Sequence, residues 1–102
     1  MPQPESSEAT PVHVQYEPEQ SRYSAMVDGA LAVAKYRRQG NTIAFTHTEV
    51  PPQISGRGVA SALARRALDD ARAAGNRVIP ACEFFRHYMD EHPEYDDIRD
   101  DQ

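Results

Sequence analysis

A chain of 102 residues, 39% of them hydrophobic and 26% charged, is long enough for one hydrophobic core and too short for two. Sixteen acidic residues against eleven basic ones leave a net charge of −5, which excludes a general nucleic-acid-binding surface, because neutralising phosphates takes Lys and Arg clustered on one face. Cys82 is the only cysteine, so an intramolecular disulfide and a Cys-x-x-Cys metal site are both excluded, and a reducing cytoplasmic setting is the simplest home.

Residues 1–11 carry prolines, serines and glutamates without a basic region followed by an apolar run, so they are expected to be a flexible tail and not a secretory signal. Val12 to Tyr16 is a short extended run, Glu17-Pro18-Glu19-Gln20 supplies a turn, and Arg22 to Val27 follows with Tyr23, Ala25 and Val27 on one face. Asp28-Gly29 predicts a two-residue type I′ hairpin, which needs positive φ at both positions. A third strand covers about Ala30 to Tyr36. A fourth runs from Thr42 to Glu49, with Ile43, Phe45 and His47 sharing a face by the two-residue period. Pro51-Pro52 ends it, since proline gives no ladder donor and biases its predecessor away from helix.

From Arg57 to Ala74 the period becomes helical, with Val59, Leu63, Ala67 and Ala71 four apart and Ala60, Ala64 and Leu68 widening the stripe. Gly75 is the C-terminal stop. A strand over Arg77 to Ala81 and a helix over Glu83 to Glu91 come next, then a turn at His92-Pro93-Glu94-Tyr95; the acidic end from Asp96 to Gln102 is expected to fray. No apolar run approaches the roughly 20 residues that span a bilayer.

Chemistry concentrates at the junction Gln53-Ile54-Ser55-Gly56-Arg57-Gly58-Val59-Ala60-Ser61, between a strand end and the long helix. Gly56 and Gly58 let a ligand approach the backbone, and the helix offers unpaired N–H groups at the positive end of its dipole. This is an anion cradle to which Arg57 adds a cation and Ser61 a hydroxyl, and a pyrophosphate is its natural occupant. A dinucleotide fingerprint does not fit, because Ser61 stands where its third glycine belongs and four strands come before; a nucleotide-hydrolase phosphate loop fails for want of its lysine. An ordinary tight strand-to-helix turn is the bland reading of the same glycines.

The pattern Gln53-x-x-Gly56-x-Gly58, set between a fourth strand and a long helix, resembles the GCN5-related N-acetyltransferases. The resemblance is closest to their small single-domain YjdJ-type branch, from His47-Thr48-Glu49-Val50-Pro51 through the loop and Arg77-Val78-Ile79-Pro80-Ala81-Cys82 to His92-Pro93-Glu94-Tyr95. It implies an α/β (α+β) fold: a mainly antiparallel mixed sheet of about five strands, one long helix after the glycine loop and a short C-terminal helical part. One acetyl-CoA-binding domain would span 12–95, with an acidic tail over 96–102. Acetyl-CoA would be the ligand, with Thr48 to Val50 pairing to pantetheine, Gln53 and Ser55 to Ser61 holding the pyrophosphate, and Arg77 to Ala81 diverging to admit the thioester. The implied activity is acetyl transfer to an amine that the sequence does not name, in a monomer or small homo-oligomer. The alternative is a non-catalytic acyl-CoA-binding module.

Amine acetylation needs a base for the amine proton and an acid for the leaving thiolate. Cys82, opening the last main helix, is a candidate acetyl-carrying nucleophile; a small buried hydrophobe is its bland reading. His47 is a candidate base and Glu49, two residues on, its partner or substitute. Phe85 and Tyr88, three apart, are candidates to cover the cofactor chain, whereas Phe84 is assigned to the core. Arg37, Arg38 and Arg57 form a possible patch for the adenosine 3′-phosphate. His13, His87 and His92 lack partners at metal-ligand spacing, so no metal site is expected.

Overall fold

The computed structural model describes residues 12–101; the tail expected over 1–11 lies outside the described residues, as does Gln102. Strands β1 (Val14–Glu17), β2 (Arg22–Val27), β3 (Ala30–Gln39) and β4 (Thr42–Glu49) pair in succession as antiparallel neighbours. Helix α1 (Val59–Ala73) then crosses over the sheet and β5 (Arg77–Pro80) joins β4 in parallel, followed by α2 (Glu83–Asp90). A parallel neighbour needs such a crossover, so the long helix and the parallel pairing of β4 with β5 are one feature. Asp28 and Gly29 adopt φ of 49° and 79°, the type I′ turn expected between β2 and β3.

Helix α1 buries Val59, Leu63, Ala64, Ala67, Leu68 and Ala71 on the sheet. The strands opposite offer Ala25, Ala32 and Ala34, all fully or almost fully buried, and these small side chains let the helix sit close. Beside this alanine floor runs a row of rings: Tyr16 on Tyr23, Tyr23 on Tyr36, Tyr36 on Phe45, and Phe45 on Phe85 of α2. The Tyr23 hydroxyl donates to Asp70 at 3.0 Å; burial, and then this carboxylate, push its pKa well above the usual tyrosine value and keep it neutral.

One irregularity decides where the candidate residues point. Tyr36 faces Phe45 but Lys35 faces His47, so Thr46 is an extra residue in β4, a β-bulge that inverts the alternation beyond it. His47 does not share a face with Ile43 and Phe45, as the unbroken period predicts. It is exposed on the outer face of the sheet, with Glu49, while Thr48 opposite Ala34 takes the inward position.

The C-terminal acidic stretch also departs from expectation. Pro93–Ile98 is a 3-10 helix that buries Tyr95 and Ile98, Arg99 bridges in parallel to Val78, and the Asp100 N–H donates to the Val78 carbonyl at 2.8 Å. Its charge does not drive it into solvent because arginines meet it. Arg72 holds the Asp97 carboxyl below the usual carboxylate range, and Arg99 pairs with Asp90 and Asp101 at 2.8 Å each. Ile98→Ala is therefore expected to cost about 2 kcal/mol in urea denaturation, whereas a frayed tail would leave the midpoint unmoved.

Candidate active site

The parallel pairing of β4 with β5 ends at Phe45 opposite Pro80, closed by the Cys82 N–H donating to the Phe45 carbonyl at 2.9 Å. Beyond it β4 continues to Glu49 paired only with β3, while the other chain turns into α2. The two strands thus fork. The wedge behind the fork is Phe85, fully buried and stacked on Phe45 with ring centroids 4.3 Å apart. Phe85 is a core residue and cannot cover a bound chain; Phe84, assigned to the core from sequence, is the partly buried ring beside it. Tyr88 is buried, its ring stacked on His92 at 3.9 Å and tilted toward Phe84.

On the helix side of the fork, Cys82 is half-buried and its Sγ lies 3.4 Å from the Thr48 hydroxyl. The bulge has turned His47 and Glu49 to the outer side. Cys82 and His47, proposed from sequence as parts of one mechanism, therefore flank the fork from opposite faces.

The loop after β4 returns to the helix side. Val50 packs partly against the core, Pro52–Ile54 makes a 3-10 turn that leaves Gln53 exposed and buries Ile54, and the Ser55 hydroxyl donates to the Pro52 carbonyl. Gly56 and Gly58 have φ of 80° and 78°, in the left-handed region, and among the described residues other than their chain neighbours nothing lies within 4 Å of where a Cβ would stand. The first backbone bond of α1 runs from the Ala62 N–H to the Gly58 carbonyl, and no side chain among the described residues caps the helix. Among the described residues, the N–H groups of Val59, Ala60 and Ser61 therefore stay available for an anion. Arg57, expected to add a cation here, pairs instead with Asp28 of the β2–β3 turn. Arg37 and Arg38 sit at the far end of β3 from that turn, so the three arginines form no common patch.

A groove of about 490 Å³ runs from this cradle along α1, lined by Val12, Gly58, Ser61, Arg65 and Asp69 among others. Arg65 was missed in the sequence analysis. It follows Ser61 by one helical turn, a spacing that puts both on one face, and lies beside Tyr88, whose side chain favours the charged guanidinium. Among the described residues no group of three or more His, Cys, Asp or Glu is arranged to hold a metal ion, and no helix is long and apolar enough to cross a membrane.

Free amides at a glycine-opened helix start, reached by the loop that leaves the forked strand β4, agree with the comparisons with known proteins. The family profile described as GCN5-related N-acetyl-transferase matches residues 22–98. The chain belongs to the GCN5-related N-acetyltransferase family. Protein NATD1 of Mus musculus is 31% identical over 86 residues, covering 81% of this chain and 78% of its own, and NATD1 of Homo sapiens is 30% identical over 86 residues, covering 81% and 76%. A GCN5-like protein from Staphylococcus aureus, solved by NMR in solution, superposes with a TM-score of 0.69 at 26% identity, over 85% of this chain and 86% of that one. The expected fold class is thus the acetyltransferase family's own, with its mostly antiparallel five-stranded sheet.

Proposed function

We propose that the protein transfers an acetyl group from acetyl-CoA to an amine. The observation that carries this reading is the fork of β4 and β5, whose strand β4 leads through the glycine loop directly into the uncapped N-terminus of α1. Bound there, acetyl-CoA supplies an activated thioester. The N–H groups of Val59, Ala60 and Ser61, the open turn at Gly56 and Gly58, and the Arg65 side chain suit its phosphates, with Gln53 and Ser55 at the mouth. The edge of β4 left unpaired by β5 at Thr48 and Glu49, together with Val50 just after it, suits the amides of pantetheine, as in strand addition. The lone thiol and the acetyl-CoA reading together favour a cytoplasmic setting.

Both helices pack on one face of the sheet, so the amine has its approach from the other, where Glu49 and His47 are exposed. There Glu49 takes the amine proton and His47 assists. Cys82 has the Thr48 hydroxyl as its polar side-chain neighbour and, among the described residues, no base hydrogen-bonded to it, whereas a nucleophilic cysteine needs a base or cation at hand. Direct attack by the amine is the favoured route, and the Cys82 and Thr48 side chains donate to the departing sulfur.

The test combines native mass spectrometry with acetyl-CoA and a thiol-release assay over a panel of primary amines. Expected are a CoA-sized non-covalent adduct, turnover that falls 100-fold or more in Glu49→Gln, and turnover in Cys82→Ser within tenfold of the parent. An acetyl group that stays on Cys82 after denaturation would replace direct attack with a covalent relay. Adduct without turnover would make the domain a binding module, and no adduct at all removes the reading.

A further inference from the structure

Of the eleven basic side chains, Arg22, Arg57, Arg66, Arg72, Arg77 and Arg99 each pair with a carboxylate. Arg65 lies beside Tyr88, and Arg86 donates to the Ala81 carbonyl. The three that remain, Lys35, Arg37 and Arg38, have no hydrogen bond or ion pair among the described residues, and all three lie in one stretch of β3. A chain with net charge −5 has carboxylates to spare, so leaving its free cations side by side sets a local field opposite to that of the whole.

Two of these cations border a cavity of about 390 Å³, lined by Arg37, Arg38, Gln39, Thr42, Ala44 and Ile79. Its lining residues include no carboxylate; Arg37 lies on the outer face opposite Ala44, whereas Arg38, opposite Ile43, reaches the cavity from the helix-side position and also lines the cavity beside Tyr23 and Asp70. Arg37, Ala44 and Ile79 are cross-strand neighbours on the outer face of the sheet, the face that carries His47 and Glu49. Ala44 and Ile79 stand two residues before Thr46 and Ala81, where the fork opens, and at the rise of a strand that is roughly 7 Å.

We propose that this groove is an anion site that seats the acidic end of the acceptor, so that the substrate is a small amine bearing a carboxylate or phosphate roughly 7–10 Å from the nitrogen. The role assigned to the anion rests on the acetyl-transfer reading above; the groove's preference for anions does not. Arginine forks bind carboxylate and phosphate through two parallel donors, and an anion held there leaves the amine end by the fork and beside His47, which stands opposite Lys35, two residues from Arg37, with Glu49 two residues farther along β4. Lys35, opposite His47 on the same face, extends the positive field along that path.

Two measurements test this. In the first, the protein without CoA is titrated with 6-aminohexanoate, inorganic phosphate and hexylamine, and amide shifts are followed by NMR. Both anions are expected to move Gln39, Thr42, Ala44 and Ile79, hexylamine is not, and the shifts are expected to vanish in the double variant Arg37→Gln, Arg38→Gln. In the second, kcat/KM for acetyl transfer is expected to favour 6-aminohexanoate over hexylamine by tenfold or more, a ratio that collapses toward one in the double variant while CoA affinity holds. Absence of the anion-dependent shifts, in protein that still binds CoA, overturns the groove and leaves the acetyl-CoA reading standing. Shifts that depend on the two arginines in protein that binds no CoA keep the anion site and overturn its role in acceptor binding. Equal kcat/KM for the two amines overturns that role as well.

Discussion

Phe85→Ala is expected to destabilise the protein by about 3–5 kcal/mol in chemical denaturation, the range for truncating a fully buried aromatic ring. Domains of this size are commonly stable by only about 5–15 kcal/mol, so much of the margin would go. The effect is large because of what the ring touches. Phe85 is wholly buried, lies flat on Phe45 with planes 1° apart, and meets Phe84 edge-on at 6.2 Å. Phe45 is the last residue of β4 paired with β5, so the stack fixes the point at which the strands part. Phe84→Ala, at the partly buried neighbour, is the control and is expected to cost about 1 kcal/mol. Comparable losses in the two variants would mean that α2 is not anchored through Phe85.

The contrast between these two rings marks where sequence reading runs out. Adjacent apolar residues on a short helix cannot be sorted into core and rim without knowing which strand the helix meets. The same holds for His47. Its assignment to the face of Ile43 and Phe45 follows from an unbroken period of two, and the bulge at Thr46 is a property of the β3–β4 register, invisible in β4 alone. The docking of residues 96–101 depends on Arg72, Arg77 and Arg99, the first two distant in sequence, so a charge run read by itself looks solvated. Features written in local chemistry were legible: the Asp28-Gly29 hairpin, the proline exit from β4, the glycine loop and the apolar stripe of α1. Arg65 is legible in the same way, since it stands one helical turn after Ser61 on the polar face of α1.

Gly58→Ala combined with Gly56→Ala is expected to weaken CoA binding tenfold or more by isothermal titration calorimetry. At φ of 80° and 78°, an alanine pays roughly 1–2 kcal/mol per position to stay in the left-handed region, so the loop gains by relaxing toward negative φ. Among the described residues, the chain neighbours apart, no heavy atom lies within 4 Å of either added Cβ, which argues against a clash as the cause. What moves is the backbone itself, and with it the aim of the N–H groups of Val59, Ala60 and Ser61; a tenfold loss needs only about 1.4 kcal/mol. Gly75→Ala separates this from ordinary destabilisation. Gly75 has φ of 75° and the same empty surroundings, but it follows the opposite end of α1. It is expected to lower stability by a similar amount per residue and leave CoA affinity unchanged. Were Gly75→Ala to weaken CoA binding as much as the loop pair does, the affinity would be tracking global stability and the glycine cradle would lose its claim to the phosphates.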